Sequence, residues 1–126
     1  MGKTFLIDTN IILEYTGGVL PENIVRYLNT IIDNNGFYIS VINQIEILGH
    51  PSATDELADF LDTAIIHQLT TDVIKQTIAL RKIKSSKLPD VIIAATAMVH
   101  GHGLITRNTR DFKNIPDLVV MNPYLL

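Results

Sequence analysis

Short apolar runs alternate along this chain with longer stretches whose apolar residues recur at helical spacing. The short runs are typical of buried strands, and the longer stretches are typical of amphipathic helices. Strands are predicted at residues 4–7, 37–40, 64–69, 104–106 and 118–121, and helices at 10–15, 21–35, 41–48, 54–61, 71–85 and 89–99. This alternation predicts a three-layer α/β/α fold, in which helices cover both faces of a mostly parallel sheet of about five strands.

Acidic residues occupy particular places in this pattern. Asp8 follows the first predicted strand, and Asp111 follows the strand at 104–106. Glu46 lies in the helix after the second strand, and Asp90 lies in the first turn of the most apolar helix. Open α/β sheets bind their ligands at the carboxyl ends of their strands. If the sheet is parallel, all four acids are expected at that same edge.

Clustered carboxylates repel one another, and a divalent cation relieves this repulsion. Hard cations such as Mg²⁺ or Mn²⁺ prefer oxygen ligands, and the chain has no cysteine to favour a softer metal. Such a site can activate water for hydrolysis of a phosphodiester bond. Each acid taken alone has a simpler explanation: Asp8 as a helix cap, Glu46 as an exposed helix residue, Asp90 as a favourable helix-dipole charge and Asp111 as a turn residue. Their joint arrangement favours the metal site.

Length and composition fit a single domain spanning residues 1–126, without a linker or internal repeat. We find no signal peptide, and the longest apolar run, at 91–99, is too short to span a bilayer. The absence of cysteine weakly favours a reducing compartment. We therefore expect a soluble, cytoplasmic protein without a membrane partner.

The basic residues are unevenly distributed, although the net charge is −3. Residues 1–80 contain three basic and ten acidic residues, whereas residues 81–113 contain seven basic and two acidic ones. A charge run is often only a solvated surface. Here it surrounds Asp90 and Asp111, so it could also attract the phosphates of a nucleic acid. The candidates for phosphate contact are Arg81, Lys84, Lys87, Arg107 and Arg110.

Four segments of the chain together resemble the PIN-domain family, in particular its VapC-type toxins. They are FLIDTN at 5–10, ISVINQIEIL at 39–48, LPDVIIAATA at 88–97 and LITRNTRDF at 104–112. Each motif alone is short, but they follow the family's order and span almost the whole chain.

The resemblance implies a Mg²⁺- or Mn²⁺-dependent endoribonuclease whose metal-binding and catalytic acids are Asp8, Glu46, Asp90 and Asp111. It implies supporting polar roles for Thr9, Asn10, Thr106 and Asn108. RNA is the implied substrate, and the implied protein partners are an antitoxin and a second copy of the chain. Two positions depart from the family pattern or vary within it. Asn43 stands where Thr or Ser is common, and the last acid of the family falls either at the position of Asn108 or at that of Asp111.

Other functions remain open at this point. A PIN-domain nuclease of RNA processing or decay would carry the same residues as a toxin, and a non-catalytic RNA- or protein-binding module could keep the fold. A phosphatase or receiver domain that uses Asp8 as nucleophile is disfavoured, because it needs a second acid that Asn10 or its neighbours do not supply. His100 and His102 are interpreted as helix-end and turn residues, and His67 as a strand residue.

Overall fold

The computed structural model describes residues 3–125, in which five strands alternate with seven α-helices. The strands are β1 (Phe5–Ile7), β2 (Tyr38–Ser40), β3 (Ile65–His67), β4 (Gly103–Ile105) and β5 (Val120–Met121). The helices are α1 (Thr9–Thr16), α2 (Glu22–Asn35), α3 (Val41–Leu48), α4 (Asp55–Leu61), α5 (Thr71–Ile83), α6 (Leu88–Val99) and α7 (Thr109–Phe112), and a short 3₁₀ turn covers Pro123–Leu125.

The five strands form one sheet in the order β3-β2-β1-β4-β5, and every neighbouring pair is parallel. The predicted parallel sheet of about five strands is therefore confirmed. The strand β1 lies at the centre. The chain first adds β2 and β3 on one side of it and then β4 and β5 on the other. The carboxyl end of β1 is thus a topological switch point, where a crevice for a ligand is expected.

Helices cover both faces of the sheet because successive residues of its central strands point to opposite sides. Phe5 and Ile7 pack with residues of α1 to α4 in one apolar core. Leu6 and Leu104 pack with residues of α5, α6 and α7 in a second core. The second core contains most of α6, whose seven residues from Val91 to Ala97 are all buried. The most apolar helix of the sequence is therefore largely buried in this core.

Several predicted boundaries differ from those observed. The third strand ends at His67 rather than at residue 69, since the segment after it turns to place Thr70 at the N-cap of α5. The Thr70 side chain accepts a hydrogen bond from the Val73 backbone at 3.3 Å, so Thr70 caps this helix. The polar segment after β4 also contains the short helix α7, which was predicted as a turn. Among residues 3–125, no helix combines the length and apolar character needed to cross a bilayer.

Candidate active site

Asp8 lies at the carboxyl end of the central strand and begins the helix that follows. Its backbone N–H continues the sheet by donating to the Ile105 carbonyl at 2.9 Å. Its side chain caps α1 by accepting a hydrogen bond from the Thr9 backbone at 2.8 Å. The simpler explanation of Asp8 as a helix cap is therefore correct, and it does not exclude a second role. Asp8 itself is buried, with 6% of its surface exposed.

Two buried polar side chains from the flanking segments hold the Asp8 carboxylate. Thr106, directly after β4, donates its hydroxyl to Asp8 Oδ2 at 2.8 Å. Asn43, in the first turn of α3, donates its amide to Asp8 Oδ1 at 3.3 Å. Burial raises the pKa of Asp8 above its usual value, and the nearby Glu46 adds to this, while the bonds from Thr106, Thr9 and Asn43 oppose it. A carboxylate held this way favours a neighbouring cation.

Asn43 connects the first two acids of the site. Its side-chain oxygen accepts from the Ser40 backbone at 2.8 Å, which fixes the orientation of its amide group. That amide also donates to Thr9 Oγ1 at 3.1 Å, and the Thr9 hydroxyl donates in turn to Glu46 Oε1 at 2.7 Å. Asp8 and Glu46 are therefore linked through Asn43 and Thr9. The departure from the family's Thr or Ser thus bears directly on how Glu46 is supported.

The other two acids approach from the opposite face of the sheet. Asp90 lies in the first turn of α6, and burial raises its pKa, as do the charges of Asp8 and then Asp111. The Lys87 ammonium group lowers it. Asp111 lies on α7 and accepts a hydrogen bond from the Asn108 amide at 2.5 Å. Asp90 is thus within electrostatic range of two other acids.

Hydrogen bonds through Asn108 and Thr106 connect Asp111 to Asp8. The Asn108 N–H donates to the Thr106 hydroxyl at 3.0 Å, and the same hydroxyl bonds Asp8. Asn10 accepts a hydrogen bond from the Arg107 backbone at 3.3 Å. Thr9, Thr106 and Asn108 therefore each bond one of the acids, whereas the Asn10 side chain bonds the Arg107 backbone.

The acids form a cluster that is not yet arranged as a metal site. Within residues 3–125, no group of three or more acidic or histidine side chains stands in position to hold an ion. Glu46 is exposed and bonded to Thr9, whereas Asp111 is half-buried and bonded to Asn108. The donor set consists of carboxylate, hydroxyl and amide oxygens, which fits a hard cation.

The predicted phosphate-contact residues occupy different places. The Lys87 side chain lies near Asp90, and Arg110 is exposed on α7. Arg81 and Lys84 line a cleft of about 350 Å³ at the end of α5, where they donate to the carbonyls of Ser86 and Lys113.

The Arg107 side chain is held by α1 and the C-terminal segment. Its guanidinium group pairs with Glu14 and lies 4.6 Å from the centre of the Tyr124 ring. The other Glu14 oxygen, Oε1, is buried and has no hydrogen-bond partner among residues 3–125. Sequence analysis missed this pairing, because residues 14 and 107 are far apart along the chain and no short motif connects them.

Sequence analysis also gave no positive role to the buried residues Ser40 and Asn43. Their spacing carries a signal that was available, because an N-cap serine with a polar residue three positions later predicts a capping box. Both bonds of that box are present in the structure. The capping box explains the local conformation, and only the tertiary structure reveals that Asn43 also bonds Asp8 and Thr9.

The fold and the polar edge together define a class of protein: a parallel α/β domain with acids clustered at the switch point of its sheet. The PIN domain family model matches residues 5–118. The chain therefore belongs to the PIN domain family, as the four motifs indicated.

Known relatives agree with this assignment. A segment of 32 residues is 50% identical to "Ribonuclease VapC" of Rickettsia bellii and covers 25% of this chain and 24% of that protein. This match spans only about a quarter of the curated relative. A chain of a toxin–antitoxin complex from Klebsiella pneumoniae is 30% identical, with a TM-score of 0.74, over 96% of this chain and 98% of its own. A chain of FitAcB from Neisseria gonorrhoeae is 26% identical, with the same TM-score of 0.74, over 98% and 100%.

Proposed function

We propose that this protein is a Mg²⁺- or Mn²⁺-dependent endoribonuclease and the toxin of a type II toxin–antitoxin pair. The observation that carries the proposal is the convergence of Asp8, Glu46, Asp90 and Asp111 at the carboxyl edge of the sheet. Support comes from the family match and from the names of similar proteins, which are a ribonuclease and a toxin–antitoxin complex.

The residues of the chain have distinct roles in this proposal. Asp8 is fixed by three hydrogen bonds and serves as the rigid ligand, whereas Glu46 and Asp111 complete the site by turning. A bound cation would lower the pKa of a water molecule and stabilise negative charge on the phosphate. Thr106 and Asn43 orient Asp8 and oppose the rise of its pKa on burial, because their bonds favour its charged form.

The substrate surface is the basic rim of the site. Lys87 and Arg110 are exposed beside the acids and would contact phosphates directly. Arg81 and Lys84 would extend this contact along the cleft at the end of α5. Arg107 would have to exchange Glu14 for a phosphate in order to take part.

The decisive experiment compares the parent protein with Asp8→Asn in an RNA-cleavage assay with Mn²⁺. We expect cleavage to fall by more than the roughly 10- to 100-fold that loss of a supporting residue costs a metal site. Asp33→Asn is the matched control, since Asp33 is an exposed acid on α2. If Asp8→Asn cleaves RNA as fast as the parent, the site is misassigned. Calorimetry tests the alternative of a non-catalytic binding module, because that alternative predicts no Mn²⁺ binding.

An antitoxin is the second proposed partner, and a groove between α1 and α4 offers a place for it. The groove has a volume of about 470 Å³ between α1 and α4 and is lined by Leu13, Gly17, Leu57 and Phe60, among others. Leu13 is 40% exposed, so apolar surface is open to a partner. Expression of the toxin should arrest growth, and the product of a small neighbouring reading frame should restore it. Leu13→Glu should abolish that rescue while leaving RNA cleavage intact, whereas unchanged rescue would place the antitoxin elsewhere.

A homodimer is also proposed. Ile74 and Ile78 lie one turn apart on α5 and are 42% and 53% exposed, so they place two neighbouring apolar side chains on the surface of this helix. Light scattering after gel filtration should give twice the chain mass, and Ile78→Lys should reduce it to the monomer. A monomeric parent protein would contradict this proposal.

A further inference from the structure

Three of the chain's four histidines meet in one cluster that contains no acidic residue. The helix α6 begins beside Asp90 and ends at its cap, His100. His102 lies just before β4, and His67 is the last residue of the edge strand β3. The three positions are separated along the chain, so their meeting is a result of the tertiary fold.

The rings of two of these histidines point at each other. His67 Nε2 and His102 Nε2 are 2.9 Å apart. On the far side of its ring, His102 Nδ1 lies 2.6 Å from the Thr4 hydroxyl. The His100 ring stacks on His67 with 3.6 Å between ring centres. His102 is buried, His67 is half-buried and His100 is exposed, so one side of the cluster faces solvent.

The contact with Thr4 resembles the way proteins prepare a histidine to bind a metal. When Nδ1–H donates to an oxygen, the lone pair is left on Nε2, and the ring is held in place. Burial and the neighbouring His67 and His100 hold the pKa of His102 at about 4. Burial and His100 also lower the pKa of His67. Both rings are therefore neutral at pH 7, which is the form that coordinates metals.

We propose that His67 and His102, joined by His100, form a second metal site that binds a borderline transition metal such as Zn²⁺. Imidazole nitrogen suits Zn²⁺, whereas the Mg²⁺ or Mn²⁺ of the acidic site prefers oxygen ligands. The two sites would therefore take different ions. This inference does not depend on the proposed ribonuclease activity.

The geometry requires only small movements. Two nitrogens that each lie about 2.1 Å from a tetrahedral zinc ion are about 3.4 Å apart. The observed 2.9 Å must therefore widen, and the proton between the rings must move to Nδ1 of His67. His100 must turn its ring out of the stack, which its exposure permits. Consistent with this, no three such side chains within residues 3–125 already surround a common metal position.

One nearby charge opposes the site and provides a specific control. Lys3 donates to the Gly101 carbonyl at 3.4 Å, and its charge helps to lower the pKa of His102. The same charge repels a metal cation. Lys3→Ala should therefore tighten zinc binding, an effect that a purely structural role of the histidines would not produce.

The test is a calorimetric titration of tag-free protein with Zn²⁺ at pH 7.5, in excess Mg²⁺ to occupy the acidic residues. We expect one zinc ion per chain at this site, with unchanged affinity in Asp8→Asn. His67→Gln and His102→Gln should each weaken binding by about 10-fold or more, since loss of a ligand exceeds loss of a supporting residue. His50→Gln is the matched control, because His50 is exposed and its ring bonds the neighbouring Ser52.

Nitrogen-15 NMR of the imidazole rings identifies the ligands directly. Zn²⁺ should shift the Nε2 signals of His67 and His102 and leave those of His50 unchanged. Circular dichroism establishes whether each variant is folded. If His102→Gln does not fold, because His102 is buried, the result for His67→Gln decides the test. The proposal is overturned if the folded parent binds no zinc at these nitrogens, or if folded His67→Gln binds zinc as tightly as the parent.

Discussion

Replacing Thr106 by valine tests how the central carboxylate is held. Thr106 is fully buried, and its hydroxyl makes two hydrogen bonds. It donates to Asp8 Oδ2 at 2.8 Å and accepts from the Asn108 backbone at 3.0 Å. Valine has nearly the same shape but neither bond. Thr106→Val therefore leaves a buried carboxylate oxygen and a backbone N–H without their partners.

The size of the effect follows from the two bonds. A hydrogen bond to a charged group contributes about 1.5–3 kcal/mol, and a neutral one contributes about 0.5–1.5 kcal/mol. We expect Thr106→Val to lower the free energy of unfolding by roughly 2–4 kcal/mol at pH 7, within the sum of these ranges. Thr106→Ser keeps the hydroxyl and loses one buried methyl group, which costs about 1 kcal/mol.

The pH dependence of stability distinguishes loss of the bond to Asp8 from a general destabilisation of the fold. The Thr106 hydroxyl lowers the pKa of Asp8, so its loss raises that pKa further. The difference in free energy of unfolding between the parent and Thr106→Val is therefore fully present at pH values above the folded-state pKa of Asp8. It becomes smaller as the pH falls through that pKa. Thr96→Val is the matched control, because its buried hydroxyl bonds only the Ile92 carbonyl and no ionisable group.

Urea unfolding followed by circular dichroism at pH 7 and at pH 4 measures these differences. Two results would refute the reasoning about Asp8. One is equal stability of Thr106→Val and Thr106→Ser at pH 7. The other is a loss in Thr106→Val that stays constant between the two pH values, as we expect for Thr96→Val.

Two further predictions concern other polar contacts. Asn43→Ala removes the partner of the buried Ser40 N–H, so it should lower the free energy of unfolding in urea by about 1–3 kcal/mol and also slow RNA cleavage. Asn23→Ala, at an exposed position, should change neither quantity. Full RNA-cleavage activity of Asn43→Ala would exclude a role of Asn43 in positioning the acids. In the presence of a chelator, stability should fall as the pH drops from about 6.5 toward 4, since the pKa of His102 is lowered to about 4 in the folded chain. In His102→Gln, stability should depend less on pH over this range. An unchanged slope would show that His102 is not the group responsible for the loss of stability.

The polar pattern of the chain predicted where three of the candidate acids lie relative to the strands and helices. Asp8 and Asp111 follow strands, and Asp90 begins the most apolar helix. In a parallel sheet these places meet at one edge, so the position of the acids could be inferred from element order. Their orientation could not, since Glu46 bonds Thr9 and Asp111 bonds Asn108. Such choices depend on side-chain torsions, which the sequence pattern does not encode.

The sequence by itself determined the alternation of strands and helices, because burial repeats every second residue in a strand and about every third or fourth in a helix. It also determined which motifs the chain shares with its family. Only the tertiary structure decided that Asn43 bonds Asp8, that Arg107 pairs with Glu14, and that His67 meets His102. These contacts join residues that are distant along the chain, and no local pattern specifies them. They form because packing of the two apolar cores fixes the helices and strands that carry these side chains.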